Sequence, residues 1–299
     1  MGTRIENLQV TKVVDGDTIK VLLSGNNESL RLTCVDTEES QLGGSKPVTE
    51  AGKGASQMAK AYFTEANGSL AKVTIEFDTD DPVDVDDHKH RDNFGRLLCY
   101  VHKAGENYNL KLIQEGWSPY FVKYGRSRIC HEAFTRAEVE AQAHNRVIWD
   151  PNTNQGGPSR DYVTLVPWWA LRALVVEDYR ERGIPAGVLS VRLDYQQIIA
   201  AANARLPITV LCDLQAGYQE WSGGGALVYA GSPHHKFNLW ILDKDSEMGQ
   251  RILRLINRRY AEQGRGYVYV SGTAEMYRDK PQIVLTDRAQ LSDFPPTHA

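Results

Sequence analysis

Cysteine is scarce in this chain: Cys34, Cys99, Cys130 and Cys212 are its only four in 299 residues. Their spacing matches no zinc pattern and implies no disulfide framework, although a single pair stays open. Cys34 and Cys99 sit in apolar, strand-like runs and read as small core residues. No apolar run approaches the ~20 residues of a membrane-spanning helix. The start, Met1-Gly2-Thr3-Arg4-Ile5-Glu6, lacks the apolar segment of a secretory leader. That fits a chain made without a leader or one from which it has been cut. Positive charge is not in excess either. Lys and Arg number 34 against 38 Asp and Glu, a net charge of −4, which argues against tight, indiscriminate coating of nucleic acid. A local cationic site that turns over its substrate is not excluded by that balance.

The composition that remains, 41% hydrophobic and 24% charged, is ordinary for a globular chain, and the length accommodates two domains. Up to Asp150 there are 18 basic and 23 acidic residues; beyond it there are 16 and 15. Much of the acidic excess lies in one loop, Asp78 to Asp92. Leu8 to Val14 and Thr18 to Leu23 are β-branched runs joined at Asp15-Gly16, and a turn at Ser24-Gly25-Asn26-Asn27 leads to a third strand, Ser29 to Val35. After the loop Gly43-Gly44-Ser45-Lys46-Pro47, a helix is expected over Gly54 to Ala66. Further strands are expected over Leu70 to Phe77 and Gly95 to Val101, and helices over Asn109 to Glu115 and His131 to Arg146. Five strands with a helix between the third and fourth is the plan of an OB-type barrel. The fold class expected for residues 1–150 is therefore α+β, a five-stranded OB-type β-barrel with three helices.

The chemistry concentrates where Val13-Val14-Asp15-Gly16-Asp17-Thr18 meets Arg31-Leu32-Thr33-Cys34-Val35-Asp36-Thr37-Glu38-Glu39. If the two runs pair, Asp17 and Asp36 meet, with Arg31 beside them. Hard carboxylate oxygens hold a divalent cation. A cation and a guanidinium together neutralise charge building on a phosphoryl group. A further carboxylate can orient or deprotonate water. The plainer reading is an Asp-Gly turn beside a strand with solvated charges at its ends. Arg31 alone would be a surface arginine.

Taken with the later segment Asp92-Asn93-Phe94-Gly95-Arg96 and the helix leading to Ile148-Trp149, these motifs resemble the staphylococcal nuclease (thermonuclease) family over residues 8–150. The resemblance implies a calcium ion held by Asp17, Asp36 and the carbonyl of Thr37, with Asp15 acting from the outer shell through water. It implies that Glu39 orients or deprotonates the attacking water and that Arg31 and Arg96 grip the phosphate. The implied reaction is endonucleolytic cleavage of DNA and RNA that leaves 3′-phosphate ends. Two departures bear on it. Glu38 stands where the family commonly has proline, which adds a second candidate for the base. Asn93 and Phe94 stand where the family can carry a Lys and a Tyr on nucleotide phosphate. Tyr124, with Tyr120 and Lys123, is a candidate for base stacking; the alternative is that these tyrosines close the barrel. Asp84, Asp86, Asp87, His88 and His90 could hold a second metal, or form a solvated loop that repels duplexes and favours single strands.

Residues 151–166 read as a linker and 167–299 as a second α+β domain for substrate binding or assembly. It has expected helices over Pro167 to Arg182, Leu189 to Arg205 and Glu247 to Ala261. Strands are expected over Ile208 to Leu211, Ala226 to Tyr229 and Phe237 to Leu242, and a hairpin turns at Arg278-Asp279-Lys280. That hairpin loosely resembles the closing hairpin of nucleic-acid-binding OB-folds. Arg251, Arg254, Arg258 and Arg259 share a helix that could contact phosphate or be a solvated face, and His234-His235 is a candidate metal pair or an exposed loop. Two other readings compete with a nuclease: a non-catalytic nucleic-acid- or protein-binding module on the same barrel, and a structural interaction protein working through its second half. Retention of Asp17, Arg31, Asp36, Glu39 and Arg96 together favours the enzyme.

Overall fold

The computed structural model describes residues 1–42, 47–154, 160–214, 218–221, 223–232, 234–261 and 264–296. Two compact units divide the chain, residues 1–170 and 171–299. In the first, β1 (Arg4–Asp15), β2 (Thr18–Leu23) and β3 (Asn26–Leu32) form an antiparallel meander. Next come α1 (Glu50–Phe63), β4 (Lys72–Glu76), β5 (Leu97–Lys103) and the two-residue β6 (Glu106–Asn107). β4 pairs antiparallel with both β1 and β5, and β5 closes the ring by pairing parallel with β3 through Leu30↔Leu97, Arg31↔Leu98 and Leu32↔Cys99. A five-stranded closed barrel results, as the strand pattern predicts. Alternating Leu8, Val10, Ile19, Val21, Leu30 and Leu32 turn inward and are buried, the period-2 signature of a one-faced strand.

The helices α2 (Tyr108–Gln114) and α3 (His131–Ala143) close the first core, with Tyr108 and Phe134 fully buried. α1 begins four residues before the expected Gly54 because Thr49 caps it, its hydroxyl accepting from the Gly52 N–H at 3.0 Å. Glycine inside this helix has a packing reason. A Cβ on Gly52 would stand 2.1 Å from the Glu39 carbonyl oxygen, so the missing side chain lets α1 lie directly on the Asp36–Glu39 stretch.

On α3, burial pushes the Glu138 carboxyl up to about 7, partly opposed by the Tyr120 N–H that donates to it at 2.9 Å. The folded state then holds a proton on Glu138 that the unfolded chain has already released, so stability falls as pH rises from about 4.5 to about 7 and is level above that window. Urea melts across this range should show the decline, and Glu138→Gln should flatten it. A wild-type midpoint that does not fall, or an unchanged slope in the variant, contradicts this assignment.

α4 (Tyr162–Asp178) starts before the expected Pro167, which sits within its early turns. The boundary between units falls inside this helix, later than the composition shift suggests. The expected linker 151–166 lies partly on residues 155–159, outside the described residues.

The second unit holds a mixed sheet in the order β7 (Leu189–Ser190), β8 (Pro207–Asp213), β12 (Tyr267–Tyr277), β13 (Lys280–Val284), β11 (Asn238–Ile241), β10 (Ala226–Tyr229) and β9 (Tyr218–Glu220), with β14 (Leu291–Ser292) on β12. α5 (Tyr195–Asn203) and α6 (Glu247–Leu255) bury Ile198, Ile252 and Leu253 in its core. α5 is shorter than the expected helix from Leu189, because Leu189 and Ser190 pair with β8 instead. The hairpin turns on Arg278 and Asp279, both at positive φ (45° and 64°), the backbone of a tight two-residue turn. On α6 Arg251 pairs with Glu247, and the following turn pairs Arg259 with Asp293.

Candidate active site

Asp17 is the centre of the first unit's polar cluster. The β1–β2 reversal uses Gly16 and Asp17, with Asp15 paired to Thr18. Gly16 is needed for close approach: a Cβ there would lie 2.9 Å from both Ala55 and Thr37. Asp17 is 8% exposed. Its Oδ2 accepts from the Thr37 N–H at 3.0 Å and its Oδ1 from the Thr18 hydroxyl at 3.0 Å, and its carbonyl accepts from the Leu32 N–H at 3.0 Å. The turn is thereby fastened to the end of β3.

Beyond β3 the chain must swing round to bring Asp36 back to Asp17. Cys34 does this at φ 62°, a left-handed conformation that costs a non-glycine residue ~1 kcal/mol or more. The Asp36 N–H then donates to the Ser118 hydroxyl at 2.8 Å. Arg31 pairs with both carboxylates, through Nη1 to Asp17 and through Nη2 to Asp36 Oδ1 at 2.6 Å. Burial works against charge on Arg31, but the two carboxylates more than offset it, and its pKa is raised.

Arg96 approaches from the start of β5. Asp92 grips it through Nε at 2.7 Å and Nη2 at 2.6 Å, while Nη1 points to the Thr18 hydroxyl at 3.5 Å. Thr18 thus stands between Arg96 and Asp17. Asp15 lies one step away, its Oδ1 accepting from the Gly16 N–H at 2.8 Å. The half-buried Glu39 is fixed through its backbone, its carbonyl accepting from the Thr49 N–H at 3.2 Å. Glu38, the extra carboxylate, lies in a closed setting. It is 2% exposed, and it accepts from Tyr162 Oη at 3.1 Å and Asn154 Nδ2 at 3.4 Å.

Three residues of this neighbourhood escape sequence reading. Arg160 donates through Nη1 to Asp36 Oδ2 at 2.6 Å and to the Asp36 carbonyl at 3.2 Å, and through Nη2 to the Thr37 carbonyl at 2.9 Å. Asn154 and Tyr162 hold Glu38. Their only sequence signal is an arginine and a tyrosine just ahead of the aromatic pair Trp168-Trp169, in a stretch otherwise read as linker.

The stacking candidates separate. Tyr120 is 4% exposed, its hydroxyl accepting from the Ser127 N–H at 2.9 Å and lying 3.0 Å from His131 Nδ1; its ring belongs to the core. Tyr124 is 58% exposed, with the Lys123 ammonium 5.3 Å from its ring centroid. Phe94 is 84% exposed beside the Arg96 guanidinium, 5.4 Å away. In the acidic loop, Arg91 ties the segment to Glu28 of β3 at 2.8 Å. Asp78 accepts from the Tyr100 hydroxyl at 2.9 Å.

Among the described residues, no three His, Cys, Asp or Glu side chains gather in a group that could hold a metal. The oxygen set at the centre is of another kind: two carboxylates, Asp17 and Asp36, and the carbonyl of Thr37. Hard oxygens of this sort, completed by water, suit calcium, which accepts six to eight oxygen ligands in flexible geometry. Guanidinium groups meet these oxygens two residues at a time, Arg31 on Asp17 and Asp36 and Arg160 on Asp36 and the Thr37 carbonyl.

Residues 29–151 match the family described as staphylococcal nuclease homologue. A thermonuclease of Staphylococcus intermedius is 33% identical over 149 residues, 49% of this chain and 78% of its own length. The chain belongs to the staphylococcal nuclease family. A thermonuclease of Staphylococcus hyicus is 32% identical over 48% of the chain and 76% of its own length, and endonuclease YncB of Bacillus subtilis (strain 168) is 30% identical over 51% and 67%. The staphylococcal nuclease match runs from within β3 to beyond α3, with Arg31, Asp36, Glu39 and Arg96 inside it. Asp15 and Asp17 precede it, and it is the β1–β2 turn that brings Asp17 to the residues within it.

Proposed function

We propose that the protein is a calcium-dependent endonuclease that hydrolyses phosphodiester bonds of DNA and RNA and leaves 3′-phosphate ends. The observation that carries this reading is Arg31 between Asp17 and Asp36, an acid–guanidinium cluster assembled from the β1–β2 turn and both sides of the bend at Cys34. Asp17, Asp36 and the Thr37 carbonyl would hold the cation, and Asp15 would support it from outside. Calcium bound there would neutralise charge on the scissile phosphate.

Arg96 is pre-oriented by Asp92, so its planar fork can meet two phosphate oxygens with little loss of freedom. Arg31 presents the second positive charge. Glu39 takes a proton from the attacking water as the new P–O bond forms. The bond to the 5′-oxygen breaks, that oxygen acquires a proton, and phosphate stays on the 3′ side. Tyr124 and Lys123 offer a ring and a charge for a splayed base and its backbone. The acidic loop disfavours the dense charge of a duplex, so single strands are the favoured substrate. The second unit serves substrate binding or assembly.

The test is cleavage of single-stranded DNA in calcium and in chelator, for wild type and Arg96→Ala. Calcium-dependent cleavage that falls about a hundredfold in the variant, the usual loss for one charge-stabilising donor, is the expected result. Absence of cleavage with any divalent ion would overturn the reading, and 5′-phosphate ends would overturn the stated polarity.

A further inference from the structure

Arg160 occupies oxygens of two of the three residues that the proposed function assigns to calcium, Asp36 and Thr37. Its guanidinium takes Asp36 Oδ2 at 2.6 Å and the Thr37 carbonyl at 2.9 Å, with the Asp36 carbonyl at 3.2 Å. The side chain is 11% exposed, so this is not a surface arginine resting on a nearby acid.

Its neighbours are fastened to the same stretch of chain. Tyr162, 7% exposed, donates its hydroxyl to Glu38, and its ring lies 5.4 Å from that of Trp149. Asn154 donates to the other Glu38 oxygen and accepts from the Ala51 N–H at 3.1 Å. Glu38, where the family commonly has proline, is therefore an anchor for residues on either side of Arg160. Arg31 stands differently, on Asp17 and on the other oxygen of Asp36.

A calcium ion lies 2.3–2.6 Å from its ligand oxygens. A guanidinium in hydrogen-bond contact with Asp36 Oδ2 and the Thr37 carbonyl covers the approach to both, and two positive groups on one oxygen pair repel. We propose that Arg160 is a built-in competitor for the cation site. Its guanidinium and calcium are alternate occupants of the Asp36–Thr37 oxygens, and Asn154 and Tyr162 hold the arginine in its inhibitory position. This rests on the calcium reading above. Apparent affinity is the intrinsic affinity reduced by the fraction of molecules whose site is open. Removing the competitor therefore tightens binding by the reciprocal of that fraction.

Calcium titration calorimetry on wild type, Arg160→Gln, Arg160→Lys and Asp17→Asn separates the possibilities, with hydrogen exchange of the wild type in calcium and in chelator as a second measurement. The expected result is binding about tenfold or more tighter in Arg160→Gln, as for a site open a tenth of the time, and intermediate in Arg160→Lys. Calcium should also speed amide exchange around residues 160–163 of the wild type. If wild type and Arg160→Gln bind calcium equally, or the variant binds more weakly, while Asp17→Asn does not bind, the cation site stands and the competition is overturned. Calcium that binds wild type without any gain in exchange at these amides overturns it as well. If not even Arg160→Gln binds calcium, the calcium reading itself falls, and the competitor with it.

Discussion

Asp17→Asn is expected to reduce calcium-dependent cleavage at least a thousandfold while leaving the barrel folded. Asparagine is nearly the same size, and its carbonyl can still accept from the Thr37 N–H, which holds the β1–β2 turn to the end of β3 at 3.0 Å. What disappears is the negative charge, and with it one of only two carboxylates proposed to hold the cation. Loss of a single donor to a charged transition state costs ~3 kcal/mol, and loss of a ligand removes the cation's contribution as well. Asp15→Ala should only weaken activity, since the Asp15 carboxylate accepts from the neighbouring Gly16 N–H rather than pairing with Arg31. Initial rates on single-stranded DNA, with circular dichroism melts as a fold control, test the contrast. Equal losses in the two variants would show that the division between direct and outer-shell aspartate is wrong.

Arg31→Ala should be the more damaging change to the fold. In the native protein its guanidinium pairs with Asp17 and with Asp36 Oδ1, and its side chain is only 15% exposed. Truncation leaves two buried carboxylates facing one another with the Arg160 guanidinium on Asp36 alone. Removing one member of a buried charge cluster typically costs ~3–5 kcal/mol, because the partners remain buried and uncompensated. The variant should melt well below wild type in chelator and recover part of the loss in calcium, which would restore positive charge between the carboxylates. Wild-type melting in chelator would refute the structural role; a loss that calcium leaves untouched would refute the shared site.

The barrel was legible because its strands carry a strict inward alternation, from Leu8 and Val10 to Leu30 and Leu32, that only a one-faced strand requires. Its ends were harder to read. β1 begins at Arg4, where the polar Glu6-Asn7 and a register shift between Ile5 and Leu8 interrupt the alternation. Asp17, Arg31 and Asp36 were legible because they lie close together in sequence around one meander. Arg160, Asn154 and Tyr162 were not, because their partners Asp36, Glu38 and Ala51 lie more than a hundred residues away and nothing periodic marks their stretch. Tyr120 and Tyr124 look alike in sequence, and their burial, with the hydrogen bond from the Ser127 N–H to the Tyr120 hydroxyl, shows which faces inward. In the second unit, β7, β9 and β14 are two or three residues long, too short for a period to appear.

The parallel pairing of β3 with β5 has a kinetic meaning. Leu30↔Leu97 is the contact that shuts the ring, and the two arginines flank it, Arg31 just after Leu30 and Arg96 just before Leu97. Local hairpins such as β1–β2 can form early, whereas this contact closes a long loop and so carries the larger entropic cost. The pairing that brings Arg31 and Arg96 onto neighbouring strands is therefore expected late in folding. Until β5 docks on β3, Arg31 and Arg96 belong to separate pieces of sheet, so closure of the barrel and assembly of this pair are one event.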